Sequence, residues 1–165
     1  MHGTQEGMGH LGMAVCNPGD VVLLPDPGYP IFEAGSYLGE AEIVYYPLVK
    51  ENDFLPVIED IPEDVLKRTK YIVLSYPSNP VGAAAPKSMY VKMIEYAKKY
   101  GFFIINDNAY SDIIFDGREG FSFLSIPGAK EVGVEFFSLS KSFNVTGFRI
   151  SFCIGTVSYT HLTLP

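Results

Sequence analysis

In the stretch SLSKSFNVTGFRI, Ser138 to Ile150, a lysine flanked by serines follows the apolar run Val134–Phe137, and Arg149 stands eight residues beyond it. An ammonium group loses much solvation when buried, so a chain that needed only a core has no use for Lys141 at that point. At the end of a buried strand, desolvation lowers a lysine's pKa. The neutral amine can then attack a carbonyl carbon, the first requirement of Schiff-base chemistry. Arg149 can grip a phosphate in bidentate fashion, with Ser138 and Ser140 as hydroxyl donors. The plainer alternatives are a solvated surface lysine and an ordinary ion pair. Asp107 is the second anchor. A carboxylate after FFIIN is poorly solvated if its strand is central, and a protonated ring nitrogen would serve as its cationic partner. Its alternative role is an N-cap for the next short segment.

Other polar residues sit at comparable points. Tyr110, three residues after Asp107, can turn its hydroxyl to the same pocket or be one more core tyrosine. Thr4 and Gln5, in GTQEG, open a helix, where backbone N–H groups and a hydroxyl make an anion site. A plain N-cap accounts for Thr4 almost as well. Tyr29, in PGYP, can stack on a flat ligand, and Asn79, in SNPVG, can bond a phenolic oxygen; both residue types are also ordinary in turns. Gly7-Met8-Gly9-His10-Leu11-Gly12 fits the pattern G-x-G-x-x-G, with Asp26 at about the distance of a ribose-binding acid. That fingerprint needs a strand immediately before its glycines, and MHGTQE is not one. The glycines also fall inside the expected helix, so a dinucleotide-dependent oxidoreductase ranks last.

Positioning these residues falls to short apolar runs that alternate with helix-like segments. Val21–Leu24, Ile43–Tyr46, Tyr71–Leu74, Phe102–Ile105 and Val134–Leu139 read as strands, with Arg149–Ile154 as a sixth. Continuous apolar runs are what a parallel sheet covered on both faces requires. Between them, Pro86 to Tyr100 is the clearest helix. Met89, Met93, Ile94 and Ala97 mark its apolar face, Lys98 and Lys99 suit its C-terminal dipole, and Gly101 stands where it stops. Gln5 to Cys16 and Pro62 to Lys67 are weaker helices. The alternation predicts an α/β layered domain with right-handed crossovers. The runs lead into PDPGYP, SYPSNPVG, NDNAY and SK, so ligand contacts are expected along the carboxyl edge of the sheet.

Composition bounds the rest. Of the 165 residues 47% are apolar and 19% charged, as in a soluble globular domain with a real core. A net charge of −7 argues against a nucleic-acid partner. No apolar run approaches the roughly 20 residues that span a bilayer, and Met1-His2-Gly3 does not read as a signal peptide, so no membrane partner is expected. Cys16 and Cys153, both in apolar surroundings, form no metal or redox spacing, and the three histidines are scattered. No metal site is expected, and the setting that fits is cytoplasmic and reducing.

The ordered set GTQEG, PDPGYP, SNPVG, DNAY and SLSK, with Arg149 after it, resembles the fold-type I pyridoxal-phosphate aminotransferases of class I/II across Gly3 to about Gly155. NPGDVVLLPDPGYPIF and VGVEFFSLSKSFNVTGFRI are similar in texture to the LL-diaminopimelate aminotransferase branch. The resemblance implies the three-layer α/β/α large domain of a PLP-dependent transferase, mostly parallel in its sheet. It implies pyridoxal 5'-phosphate as cofactor, amino acid and 2-oxo acid substrates, and a homodimer in the full-length enzyme. It assigns Lys141 to the cofactor's aldehyde carbon and to the proton at the substrate's α-carbon, and Asp107 to the pyridine nitrogen. Tyr110 and Asn79 take the phenolic oxygen, Tyr29 stacks on the ring, and Thr4, Gln5, Ser138, Ser140 and Arg149 take the phosphate. A lyase or decarboxylase on the same scaffold would share Lys141 and Asp107, and a non-catalytic remnant would keep the fold alone.

Departures from the family pattern are Ser151, where glycine usually follows Arg-Ile, and Val81, where threonine is common; the serine raises a question of close packing beside Arg149. Family members are far longer. Their N-terminal segment supplies a tyrosine that reaches a neighbouring subunit's phosphate, and their small C-terminal domain supplies an arginine that clamps the substrate carboxylate. The expectation is therefore a large-domain fragment over residues 1–156, with a tail of doubtful origin at 157–165. A purified 165-residue chain is accordingly expected to transaminate feebly or not at all; robust amine transfer to a 2-oxo acid in a standard coupled assay would contradict this.

Overall fold

Six strands form one sheet in the order β2-β1-β3-β4-β5-β6. They are β1 (Val21–Asp26), β2 (Glu42–Pro47), β3 (Thr69–Ser75), β4 (Phe103–Asn108), β5 (Gly133–Ser138) and β6 (Ser151–Gly155). The first five run parallel, and β6 pairs antiparallel with β5. The computed structural model describes residues 1–115 and 117–155. The expected boundary at 156 and the tail 157–165 lie outside the described residues.

The apolar runs form the central strands because both sheet faces are covered. Helices α1 (Thr4–Val15) and α2 (Ile31–Leu38) cover one face, where Met8 and Phe32 meet Val22, Leu24, Val73, Ile105 and Phe136. Helices α3 (Glu63–Arg68), α4 (Lys87–Tyr100) and α5 (Ala129–Val132) cover the other, against Leu23, Ile72, Leu74 and Ile104. The result is the three-layer α/β/α arrangement expected. Each core side chain wholly removed from water contributes about 1.5–3 kcal/mol, and Val21 to Leu24 are all removed. Helix α4 matches its expected face and ends at Gly101 with φ 79°, a left-handed position suited to glycine. Pro86 precedes the first turn as its cap rather than sitting within it.

Four sequence expectations change. Helix α2 was not expected, because Pro30, Gly35 and Gly39 break its pattern; it forms because Phe32, Gly35 and Ser36 pack inward. Strand β2 lies at the sheet edge and is mostly open to solvent, unlike the fully covered strand its apolar run suggests. The run Val134–Phe137 contains Glu135, which is buried, and Leu139 leaves the strand to begin a short helix, α6 (Leu139–Ser142). Arg149 stands before β6 with φ 52°, not on the strand. Cys16 is half-buried, whereas Cys153 is exposed despite its apolar sequence neighbours, and both thiols are free.

The glycines of GMGHLG lie within α1 and serve helix packing. A Cβ on Gly12 would lie 1.8 Å from the carbonyl oxygen of Gly35, and one on Gly35 would lie 2.4 Å from the carbonyl oxygen of Met8. The pair lets α1 and α2 touch backbone to backbone. Gly12→Ala should therefore cost about 1–3 kcal/mol through overpacking, read as a lowered midpoint in denaturant unfolding; an unchanged midpoint would refute the contact.

Candidate functional site at the carboxyl edge of the sheet

A cavity of about 400 Å³ opens where β1, β3, β4 and β5 end. Its walls carry Thr4 and Gln5 from α1, Tyr29 from the turn after β1, and Asn79 from the turn after β3. Asp107 and Tyr110 come from the end of β4 and the loop beyond, and Ser138, Ser140, Lys141 and Arg149 from β5 and the segment after it. Every residue that the family resemblance assigns to the cofactor thus reaches one space, although Thr4 and Arg149 are far apart in the chain. A second cavity of about 330 Å³ adjoins it and shares Asn79 and Tyr110.

Asp107 is the most constrained of them. It lies inside β4, paired with Ser75 on β3 and Phe136 on β5, so it is not a helix cap. It is 8% exposed, and its buried Oδ1 has no hydrogen-bond partner among the described residues. Burial pushes its carboxyl up to about 7, against a smaller downward pull from the Ser75 hydroxyl. An unsatisfied carboxyl of this kind is costly and suits a site that brings its own donor.

Lys141 departs from its expectation. It sits in α6, past the strand end, and is exposed, so this chain's own side chains do not desolvate it. Its ammonium lies 5.9 Å from the centre of the Tyr110 ring. The serines before it order the turn: Ser138 accepts from the Ser140 amide at 3.2 Å, and the Thr146 hydroxyl donates to the Ser140 carbonyl at 3.3 Å.

The anion end of the cavity is built from α1 and Arg149. Thr4 is the first helical residue, not the cap; the cap is Gly3, which offers α1 no side chain. Unsatisfied amides and the helix dipole therefore face outward there. Gly3 has φ 83°, and a Cβ on it would lie 2.1 Å from Nη2 of Arg149, so only glycine lets the guanidinium reach the helix end. Arg149 donates from Nη1 to the Thr146 carbonyl at 3.2 Å, which holds the fork in place. Ser151, the departure from the family pattern, fits without disturbance: it is buried, pairs with Ser138, and donates to the Met1 carbonyl at 3.4 Å. Gln5 donates to the Tyr29 hydroxyl at 2.5 Å, tying α1 to the β1 turn. Two cations, a helix N-terminus and one buried carboxyl line the same cavity, a charge layout that suits a ligand with an anionic tail and a basic ring nitrogen.

Comparison with known proteins agrees with this geometry. The family model for aminotransferase class I and II matches residues 1–161. The chain belongs to this aminotransferase family. The LL-diaminopimelate aminotransferase of Dehalococcoides mccartyi is 48% identical over 153 residues, covering 93% of this chain and 39% of that protein. The enzyme of the same name from Syntrophobacter fumaroxidans is 44% identical over the same share. Among solved structures, substrate-bound BacF from Bacillus subtilis is similar at 39% identity and a TM-score of 0.92, covering 96% of this chain and 40% of that one. A probable N-succinyldiaminopimelate aminotransferase from Thermus thermophilus is similar at 38% identity and a TM-score of 0.90, over 97% and 43% of the two chains. The chain thus spans about two fifths of the length of these relatives. Class I and II aminotransferases depend on pyridoxal phosphate, and Asp107's orphaned oxygen beside the Arg149–α1 cradle fits that group.

Sequence reasoning missed Thr146, Gly3 and Ser75. Thr146 left a signal in the motif VTGFR, three residues before the arginine it orients. For Gly3 the signal lay in GTQEG, but a tight approach between residues 146 apart in sequence is visible only in three dimensions.

The Asp107 carboxyl rises from 3.8 to about 7 on folding, so the stability it contributes is fully present below about pH 4 and is lost as pH rises through 7. Asp107→Asn should flatten that slope and raise the stability of the cofactor-free chain at pH 8 by on the order of 2 kcal/mol while weakening cofactor binding. Urea unfolding at pH 5 and pH 8 checks this, and an unaltered pH slope would contradict it.

Proposed function

We propose that this chain forms the cofactor-binding part of an enzyme that transfers an amine between an amino acid and a 2-oxo acid. The observation that carries the reading is the convergence on one cavity of Asp107 from the end of β4 with Lys141 and Arg149 from the segment joining β5 to β6. Bound pyridoxal phosphate supplies an electron-withdrawing ring that takes up the electron pair left when the substrate's α-proton departs.

The residues have separate tasks. Asp107 as its carboxylate would hold a proton at the pyridine nitrogen, and that cation would answer its orphaned oxygen. Lys141 would hold the cofactor through its amine, and the same amine, when free, would move the proton at the substrate α-carbon. Its position on an exposed turn leaves the amine free to swing between these tasks. Arg149, Ser138, Ser140, Thr4 and Gln5 bind the phosphate with the amides of α1. Tyr110 and Asn79 would bond the phenolic oxygen, and Tyr29, which accepts from Gln5, would stack on the ring.

The relatives named LL-diaminopimelate aminotransferase, at 44% and 48% identity, support LL-diaminopimelate as amino donor, with a 2-oxo acid such as 2-oxoglutarate as the proposed acceptor. A homodimer in a cytoplasmic setting is part of the same proposal. Among the described residues no helix is long and apolar enough to cross a membrane.

Incubation with pyridoxal phosphate should give a visible absorption band that borohydride bleaches, leaving the phosphopyridoxyl mass on the peptide containing Lys141; Lys141→Ala should lose both. No band with Lys141 intact would sink the reading. Ammonia or carbon dioxide in place of an aminated 2-oxo acid would reassign the reaction.

A further inference from the structure

Behind Asp107, on the opposite face of the sheet, lies a second buried carboxyl that the chemistry above does not use. Glu135 is 3% exposed in β5 and pairs directly with Asn106 of β4. Its Oε1 accepts from Nδ2 of Asn106 at 3.2 Å, from Nδ2 of Asn108 at 2.5 Å and from the Phe123 amide at 3.2 Å. Its Oε2 accepts from the Ser122 hydroxyl and, at 3.5 Å, from the Leu124 amide. All five of these donors are neutral amide or hydroxyl groups. Tyr90 of α4 donates to Oδ1 of Asn106 at 3.0 Å and closes the network from below.

The geometry points to Glu135 as a positioning residue for the cofactor-binding face. Strand alternation puts Asn106 and Asn108 on the Glu135 side and Asp107 on the cavity side between them. Clamping both neighbours fixes the backbone on either side of Asp107, where β4 ends and pairing gives way to loop. The same carboxyl also ties Ser122 to Leu124, where the chain returns after the excursion that carries Tyr110. One side chain therefore holds both feet of that loop as well as the strand end. A buried glutamate is expensive to keep among neutral donors, and a leucine at that position would extend the apolar run. The network instead trades that burial for a rigid supporting shell.

This inference rests on the pyridoxal-phosphate reading for its purpose, but not for its test. Glu135→Gln keeps the shape yet turns an amide nitrogen toward donors, so one foot must let go. Ser122→Ala removes the hydroxyl that donates to Glu135 and accepts from the Leu124 amide at 3.2 Å; the residue is exposed, and the variant should fold normally. Ile104→Val, a core trim on the same strand, serves as the stability control. The measurement is the Asp107 titration in the cofactor-free chain, followed by carboxyl carbon-13 shifts after aspartate labelling. Lys141, Arg149, Tyr29 and Tyr110 share its cavity, Ser75 lies beside it, and none is altered.

Glu135→Gln should admit water at the strand end and lower the Asp107 midpoint by roughly a unit. Ser122→Ala should shift it the same way by less, and Ile104→Val should not move it. Pyridoxal-phosphate affinity should fall about tenfold in Glu135→Gln, as when a supporting residue is lost. A wild-type Asp107 midpoint in both Glu135→Gln and Ser122→Ala would overturn the inference and leave Glu135 a structural residue only. A wild-type chain that does not bind pyridoxal phosphate would instead strike at the proposed function, with the Asp107 midpoint still deciding the role of Glu135.

Discussion

A carboxyl group buried inside a covered parallel sheet must be answered by a partner, and among the described residues Asp107 has Ser75 beside it while its Oδ1 has no partner. Much of the site makes sense as the surroundings of that unanswered charge. β4 is the strand between β3 and β5, so Asp107 is walled laterally by backbone and can look only toward the cavity. A ligand whose ring presents a donor there satisfies the carboxyl, and burial makes that bond stronger than the same pair in water.

The rest of the cavity is arranged around a second charge of opposite sense. Gly3 removes the one side-chain atom that would block Arg149, and α1 consequently offers an open N-terminus to the same place as the guanidinium. Because α1 is pressed against α2 through Gly12 and Gly35, the position of that N-terminus is set by helix packing rather than by a flexible loop. Lys141 differs in kind. Held by a short ordered turn and exposed, it has the freedom that the buried Asp107 and the docked Arg149 lack, as suits a group that must change partners.

Legibility followed physical range. The strands were readable because burial on both faces demands continuous apolar runs, and α4 because it carries its full amphipathic face and both end signals. Helix α2 was not, since its glycines and proline argue locally against a helix and only contact with α1 outweighs them. Glu135 was hidden for the converse reason: inside an apolar run it looked like an interruption, and its donors come from β4 and from residues 122–124. The solvation of Lys141 was misjudged because one residue, Leu139, turns the chain out of the sheet before the lysine is reached.

By itself, the sequence determined the chemistry on offer. An amine, a carboxyl, a guanidinium and their hydroxyl neighbours each stand next to an apolar run, and their order carries the family resemblance. Those are local properties, written in residue type and spacing. What only the tertiary structure decided is which groups are desolvated and which meet. Burial raises Asp107 while leaving Lys141 in water, and the Gly3–Arg149 approach joins two ends of the chain. Desolvation and contact depend on every neighbour at once, so no stretch of sequence contains them.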